Sequence, residues 1–335
     1  MSTLALGKID MDILQELLSQ YTHRGRRVVI GPGVGEDATI IDMGNIYMVA
    51  KTDPITHVTR EIGHYAVNIN ANDIAAMGGK PLWFLATILM PFGSSVEDIR
   101  EIFSQLSQGC RALGISYCGG HTEVTSSVNN PVVIGQMLGE VKRENIKPSS
   151  GACPGDDLIM TKSAAIEATA IIAIEKGEEL GSHFDQGLII KAQRYLHNPG
   201  ISVVKEALIA AEFNEVHALH DPTEGGIATG IFELASASNL GVEVYGDKIP
   251  ISEETILLCK QYGIDPLGAF ASGSLLITAS PSITRELMDR LAAEQVAATR
   301  IGIMLPQEKG VRLIDQKETR PLPVYHQDEL SRIFG

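Results

Sequence analysis

Residues 68–81, NINANDIAAMGGKP, constrain the chain more than any other stretch. Alanine, isoleucine and glycine suit this segment to a helix packed on every side, yet it carries Asn68, Asn70, Asn72 and Asp73. Burying three amides and a carboxylate without partners would cost several kcal/mol. The fold must therefore supply partners, from the protein or from a ligand. In a helix, His64, Asn68 and Asn72 fall at i, i+4 and i+8 on one stripe, with Asn70 and Asp73 on a neighbouring one. Ala71, Ala75, Gly78 and Gly79 leave room for something to approach closely. Taken alone, the stretch is explained equally well by a capped or solvated helix face.

Around this segment the patterning is mixed. A helix with Ile13, Leu14, Leu17, Leu18 and Tyr21 on one face is expected over 10–21, followed by a strand, a glycine-rich loop and a strand within VVIGPGVGEDATII. IYMVAKTDP reads as a strand closed by an Asp-Pro turn, and WFLATILM as a short apolar strand. Residues 95–114 form an amphipathic helix with a Ser95–Asp98 capping box and a stop at Gly114. ISYCGGHTEV and PVVIGQMLGEV read as strand, turn and strand. The polar, Pro/Gly-rich run KRENIKPSSGACPGDD marks a domain boundary. The expected division is a helical segment over 1–29, a first domain over 30–145 and a second over 150–335. Both halves mix strands and helices without a regular βαβ alternation, which favours α+β sheets covered on one face over a doubly wound parallel sheet.

With 335 residues, two cores are expected rather than one. A net charge of −14 argues against a nucleic-acid footprint. It remains compatible with anionic ligands held through divalent metal ions. No apolar run is long enough to span a bilayer, so a cytoplasmic, non-membrane protein is expected. The four cysteines lack C-x-x-C spacing and indicate neither a zinc site nor a disulfide framework.

Five acids sit at element ends beside glycine turns: Asp37, Asp53, Asp73, Glu123 and Asp221. Each alone has an ordinary explanation: a mobile hairpin at GPGVGED, a turn aspartate in KTDP, a polar turn at GGHTE, a helix cap in DPTEGG. Together they supply the hard oxygen ligands that Mg²⁺ accepts alongside nucleotide phosphates. The glycine loop of Gly31, Gly33 and Gly35 can wrap a phosphate through backbone N–H groups, although it is neither a Walker A loop nor a dinucleotide fingerprint. His57, His183, His197, His217, His220 and His326 have no ligand-like spacing and read as surface or core residues.

The order GVGEDA, KTDP, VNINANDIAAMGGKP, GGHTEV, PGDDLIMTKS, DPTEGGIATGIFELA and DPLGAFASGSLLI resembles the aminoimidazole ribonucleotide (AIR) synthetase-like superfamily. Within it, the chain is most similar to the hydrogenase-maturation dehydratase family, HypE. The resemblance implies a two-domain α+β fold and a homodimer whose first domains build a shared barrel. ATP and Mg²⁺ would lie in the cleft between the domains. It implies that loop 31–35 covers phosphates and that Asp37, Asp53 and Asp73 hold Mg²⁺, with Asp221 and the 119–123 turn completing the site. Thr52, Asn72, Gly119, Gly120, Thr223, Gly225 and Gly226 would contact the nucleotide, Glu123 would join the metal ligands, and His121 is the candidate general base. Glu224 and His121 stand where the family commonly has arginine and aspartate. The sequence LSRIFG stands where the family has a Pro-Arg-Ile-Cys tail, with Ser331 for the proline and Phe334 for the thiol that is carbamoylated.

The expected activity is phosphoryl transfer from ATP to an oxygen of an acceptor, either a small molecule or a protein tail. A small-molecule kinase of the thiamine-monophosphate type is one alternative. The other is a nucleotide-binding accessory protein of metallocentre assembly without turnover.

Overall fold

The computed structural model describes residues 7, 9–33, 35–56, 58–315, 318–325 and 327–334. The readings of His57 and His326 fall outside them.

The N-terminal half holds α1 (Met11–Tyr21), α2 (Ile62–Ala76), α3 (Val96–Ala112) and a six-stranded sheet. Its strands are β1 (Val28–Ile30), β2 (Thr39–Asp42), β3 (Tyr47–Ile55), β4 (Lys80–Pro91), β5 (Ser116–Thr125) and β6 (Val132–Val141), in the order β1-β2-β3-β6-β4-β5. Only the β4–β5 pair is parallel. Burial alternates along β4 and β6, and α2 and α3 cover one face. The capping box at Ser95 and Asp98 starts α3, with Asp98 receiving the Ser95 amide. Close packing of α2 on α3 needs Gly63, where a Cβ would come within 2.7 Å of Gln105 Cβ.

The C-terminal half has seven strands: β7 (Asp157–Thr161), β8 (Val216–His220), β9 (Leu240–Tyr245), β10 (Leu276–Ala279), β11 (Ala298–Pro306), β12 (Val311–Asp315) and β13 (Glu318–Pro321). They run in the order β13-β12-β9-β11-β7-β10-β8. Its helices are α4 (Ile166–Glu175), α5 (Gly177–Leu180), α6 (Gln186–Gln193), α7 (Val204–Ala211), α8 (Gly226–Ala237), α9 (Glu253–Tyr262), α10 (Thr284–Ala293) and α11 (Ser331–Phe334). This sheet departs from the one-faced expectation. Ile159, Leu219 and Ile277 pack with α4, α7 and α10, whereas Leu158, Met160 and Leu276 pack on the α8 side. Its central strands are apolar at successive positions, so both faces need cover.

Helix α2 lies between the halves, against β3, β4 and β6 on one side and α7 and β8 on the other. All but His64 and Ile69 of its 15 residues are buried. One apolar cluster runs from Ile74 and Phe84 through to Ile166 and Leu219, joining the halves.

Candidate functional site

Three elements deliver carboxylates to one point. Asp37 precedes β2, Asp73 lies on α2 and Asp221 follows β8; one oxygen of each lies within 4.8 Å of the others, and all three residues are buried. On β3, Lys51 and Asp53 share a face because side chains alternate. Lys51 Nζ stands 3.0 Å from Asp73 Oδ1 and 3.5 Å from Asp53 Oδ2. Asp37 is held from behind: His220 Nδ1 is 2.9 Å from its Oδ1, and the other ring nitrogen of His220 is 3.2 Å from Glu233 Oε2 on α8.

Asp73 Oδ2 and Asp221 Oδ1 are shielded from solvent and have no hydrogen-bond partner among the described residues. Burial, and then the charges of Asp53, Asp221 and Asp37 against that of Lys51, hold the Asp73 carboxyl well above the usual carboxylate range. Burial and Asp37 do the same to Asp221. For Lys51, burial works against the charged form, but Asp73, Asp53 and Asp37 outweigh it and raise its pKa. His220 is raised in the same way, with Asp37 and Glu233 overcoming the cost of burial. The cluster is thus an arrangement of hard oxygen donors short of positive charge. Octahedral Mg²⁺ with oxygens at about 2.0–2.1 Å spans about 4 Å between opposite ligands. The 4.8 Å limit on the three aspartates is close to that span. The residues present fit the ion.

The asparagines of α2 do something else. Asn70 accepts from the Asp53 amide at 2.9 Å and donates to the Ala66 carbonyl at 2.9 Å. Asn68 donates to the His64 carbonyl at 2.9 Å. Asn72 donates to the Ile201 carbonyl and accepts from the Val203 amide, both at 2.8 Å, so its amide fastens α2 to the C-terminal half rather than facing the carboxylates. Of the four polar groups in this stretch, Asp73 alone keeps an unpartnered buried atom.

The remaining sequence candidates are spread out. Thr52 points away from Asp53 and donates to the Gly135 carbonyl at 2.8 Å. The loop of Gly31, Gly33 and Gly35 reaches α8: at Gly35 (φ +82°) a Cβ would lie 3.0 Å from the Glu233 carbonyl oxygen. Thr223, Gly225 and Gly226 form the turn into α8, whose N-cap position is Gly225 rather than an acid. Instead the Gly225 amide donates to Asp328 Oδ2 at 2.8 Å, and Gly225 and Gly226 take positive φ to make the turn.

Residues 119–123 are not a turn. They continue β5, an edge strand exposed over most of its length. His121 and Glu123 pair with each other at 3.1 Å. Gly119, Gly120 and His121 line a separate hollow of about 370 Å³ beside Phe103. The row Asp53–Gly135–Ala86–Gly120 crosses three strand spacings, so this motif lies about 14 Å from Asp53 within one chain. Parallel pairing with β4 keeps the segment extended where its glycines suggest a turn.

Known proteins match this arrangement. Two models of AIR synthase related protein fit the chain, the N-terminal domain over residues 35–141 and the C-terminal domain over residues 153–315. The chain belongs to the AIR synthase-related family. A hydrogenase expression/formation protein of Methanocaldococcus jannaschii is 26% identical over 331 residues, covering 93% of this chain and 96% of the relative. A selenide, water dikinase of Dechloromonas aromatica is 30% identical over 251 residues, 73% of this chain and 68% of its own. Among solved structures, the hydrogenase maturation protein HypE in complex with ATP has a TM-score of 0.73 at 20% identity, covering 95% of this chain and 91% of that one. This last likeness is one of fold: two α+β domains of the AIR synthase type. No helix of the described residues is long and apolar enough to cross a membrane.

Several residues that shape the site in this AIR synthase-related chain escape sequence reasoning. Lys51 was not singled out, although its place two residues before Asp53 on a strand puts both side chains on one face. His220 closes VHALH, a short strand whose two histidines mask its apolar alternation. Glu233 and Asp328 carry no local signal.

Proposed function

We propose that this protein binds ATP with Mg²⁺ and transfers a phosphoryl group from ATP to an oxygen of an acceptor, with ADP leaving. The observation that carries this reading is the pair of orphaned buried oxygens, Asp73 Oδ2 and Asp221 Oδ1, beside Asp37. Asp37, Asp73 and Asp221 would hold Mg²⁺, with Asp53 joining through the cleft-facing side of β3. Bound there, Mg²⁺ would neutralise phosphate charge and orient the transferred group. Lys51, between Asp73 and Asp53, limits the repulsion among the acids before the nucleotide arrives. The solved HypE complex with ATP and the dikinase relative support the choice of nucleotide and reaction class.

We further propose the division into domains over 30–145 and 150–335, a cytoplasmic location and a homodimer. An exposed edge strand is a template for pairing. Pairing along β5 would bring Gly119, Gly120, His121 and Glu123 of one copy towards its partner, where His121 has scope to act as a base. Sedimentation of a 36.0 kDa species alone at micromolar concentration would count against the dimer.

Residues 328–334 favour a small-molecule acceptor over this segment itself. Phe334 offers no nucleophile. Leu330 is buried, the Asp265 amide donates to Glu329 Oε2 at 2.9 Å, and Asp328 holds Gly225. The test is ADP release from MgATP by the wild-type chain against a panel of small oxygen acceptors. Binding without release under any acceptor supports the accessory reading instead, and absence of MgATP binding removes both.

A further inference from the structure

The stripe of α2 that begins at His64 leads away from the carboxylate cluster. His64 lies beside Glu61, the left-handed residue (φ 53°) that starts α2, and beside His197 from the C-terminal half. One ligand atom of each lies within 4.8 Å of the other two. The two imidazoles meet at 4.5 Å between ring centroids, and His197 Nε2 stands 2.9 Å from Glu61 Oε2. The trio sits at a cavity of about 420 Å³, walled by α2, α3 and residues 196–202, into which Asn68 and Gln105 also turn. Sequence spacing could not show this group, because His197 is 133 positions beyond His64 (197 − 64).

We propose that Glu61, His64 and His197 form a binding site for a divalent transition-metal ion of the zinc class, with its remaining coordination position open to the cavity. Two imidazoles and one carboxylate are donors that zinc accepts, at about 2.0–2.2 Å, whereas magnesium prefers oxygen alone. Ligands around a tetrahedral zinc stand about 3.3 Å apart. The Glu61–His197 pair, at 2.9 Å, is already inside that spacing and needs to open by only a few tenths of an ångström. The polar contacts of the His64 ring, to the Leu196 carbonyl and the Asn68 amide, are long at 3.4 Å and leave it room to turn the remaining distance. The Leu196 carbonyl, 3.4 Å from His64 Nε2, is the outer partner that would fix the tautomer and leave Nδ1 as the ligand.

The ion would join the halves. Glu61 and His64 belong to α2, and His197 belongs to the segment whose Ile201 and Val203 bond to Asn72 of the same helix. Metal and amide would pin one helix to one segment at two points, one residue short of Asp73.

The metal-stripped, untagged full chain, held in saturating Mg²⁺ to occupy the aspartate cluster, should be titrated with Co²⁺ and Zn²⁺ by calorimetry and absorption. One equivalent should bind, with cobalt bands of a nitrogen–oxygen site and no thiolate charge-transfer band. His64→Ala and His197→Ala should each weaken binding by at least about tenfold, the lower end of what loss of even an outer-shell partner costs. The His197 side chain is 53% exposed, so its removal leaves the fold intact if His64→Ala does not. Three results would overturn the assignment. One is the absence of binding. Another is affinity unchanged in both histidine variants. The third is a thiolate band lost in Cys153→Ser, which would place the ion at Cys153, Asp156 and His217.

Discussion

Neutralising Asp73 separates a metal site from a structural ion pair. Asp73→Asn keeps the shape of the side chain and removes one charge from the cluster. In the chain without metal, Asp73 faces two buried carboxylates within 4.8 Å, Asp37 and Asp221, and one ammonium at 3.0 Å, Lys51. Two unit charges 4 Å apart interact by about 4 kcal/mol at an effective dielectric of about 20. With Asp221 itself held largely neutral, the repulsion from Asp37 and the attraction of Lys51 roughly offset each other, and the burial cost leaves the neutral side chain favoured by about 1–4 kcal/mol. The raised pKa of Asp73 has the same sign. For a chain of this length, about 1 kcal/mol moves the melting temperature by about 2 °C. The variant should therefore melt a few degrees above the wild type in chelator at neutral pH.

Adding Mg²⁺ should reverse that order. A ligand at a hundred times its Kd stabilises by about 2.7 kcal/mol, or about 5 °C here. Asp73→Asn should lose most of this gain, along with MgATP affinity measured by calorimetric titration. Differential scanning calorimetry in chelator and in Mg²⁺ gives all four numbers. If the variant melts below the wild type in chelator and still gains the full shift from Mg²⁺, Asp73 is only the partner of Lys51 and the metal reading fails.

Three further outcomes are expected. Burial, helped by the charge of Asp328, pushes the Glu167 carboxyl up to about 7 from an ordinary 4.5. Its ionisation therefore costs the folded state nothing below about pH 4.5 and about 3 kcal/mol above about pH 7; Glu167→Gln should gain stability over wild type in urea melts at pH 8 and show no gain at pH 4.5, and an equal gain at both would refute the assignment. Asn72→Ala leaves the Ile201 carbonyl and the Val203 amide unpaired between the halves, so denaturation should show a loss of about 2–4 kcal/mol; a loss under about 0.5 kcal/mol would mean that other groups take over both bonds. Incubation with a carbamoyl donor, the carbamoyltransferase that partners HypE, and ATP should leave the intact mass unchanged, since Phe334 has no thiol; a carbamoyl or cyano adduct would refute this.

Much of the architecture is legible because it is written in short-range patterns. The Ser95–Asp98 box sets the start of α3, and apolar runs mark β4 and β6 as strands, although which face is buried shows only in the structure. Strands β11 to β13 escaped reading, as did β8, whose end supplies both His220 and Asp221. The aspartates that converge were legible as residue types, since Asp37 and Asp221 flank strands near glycine and Asp73 is the one acid of a small-residue helix. Their grouping was visible only through the order of motifs along the chain. Asp328, which binds the Gly225 amide across 103 positions, has no such signal. A carboxylate at that helix start is ordinary electrostatics, but which of many acids arrives there is settled by how the last residues pack.

The helix at 62–76 shows where periodicity stops being informative. Its spacing assigns Asn72 and Asp73 to adjacent stripes, and both are buried. Adjacent residues on a helix point about 100° apart, so on a helix covered all round they meet different neighbours. One step round α2 turns from the backbone of the C-terminal half, which pairs both the nitrogen and the oxygen of the Asn72 amide, to a pocket of like charges that leaves Asp73 half unpaired. An amide satisfies the backbone with one donor and one acceptor. A carboxylate only accepts, and beside two other carboxylates it needs a cation to complete it. Lys51 reaches one of its oxygens. The other remains for whatever positive charge the cleft admits, and this difference between two neighbouring side chains makes Asp73, rather than Asn72, the residue on which the proposed metal site depends.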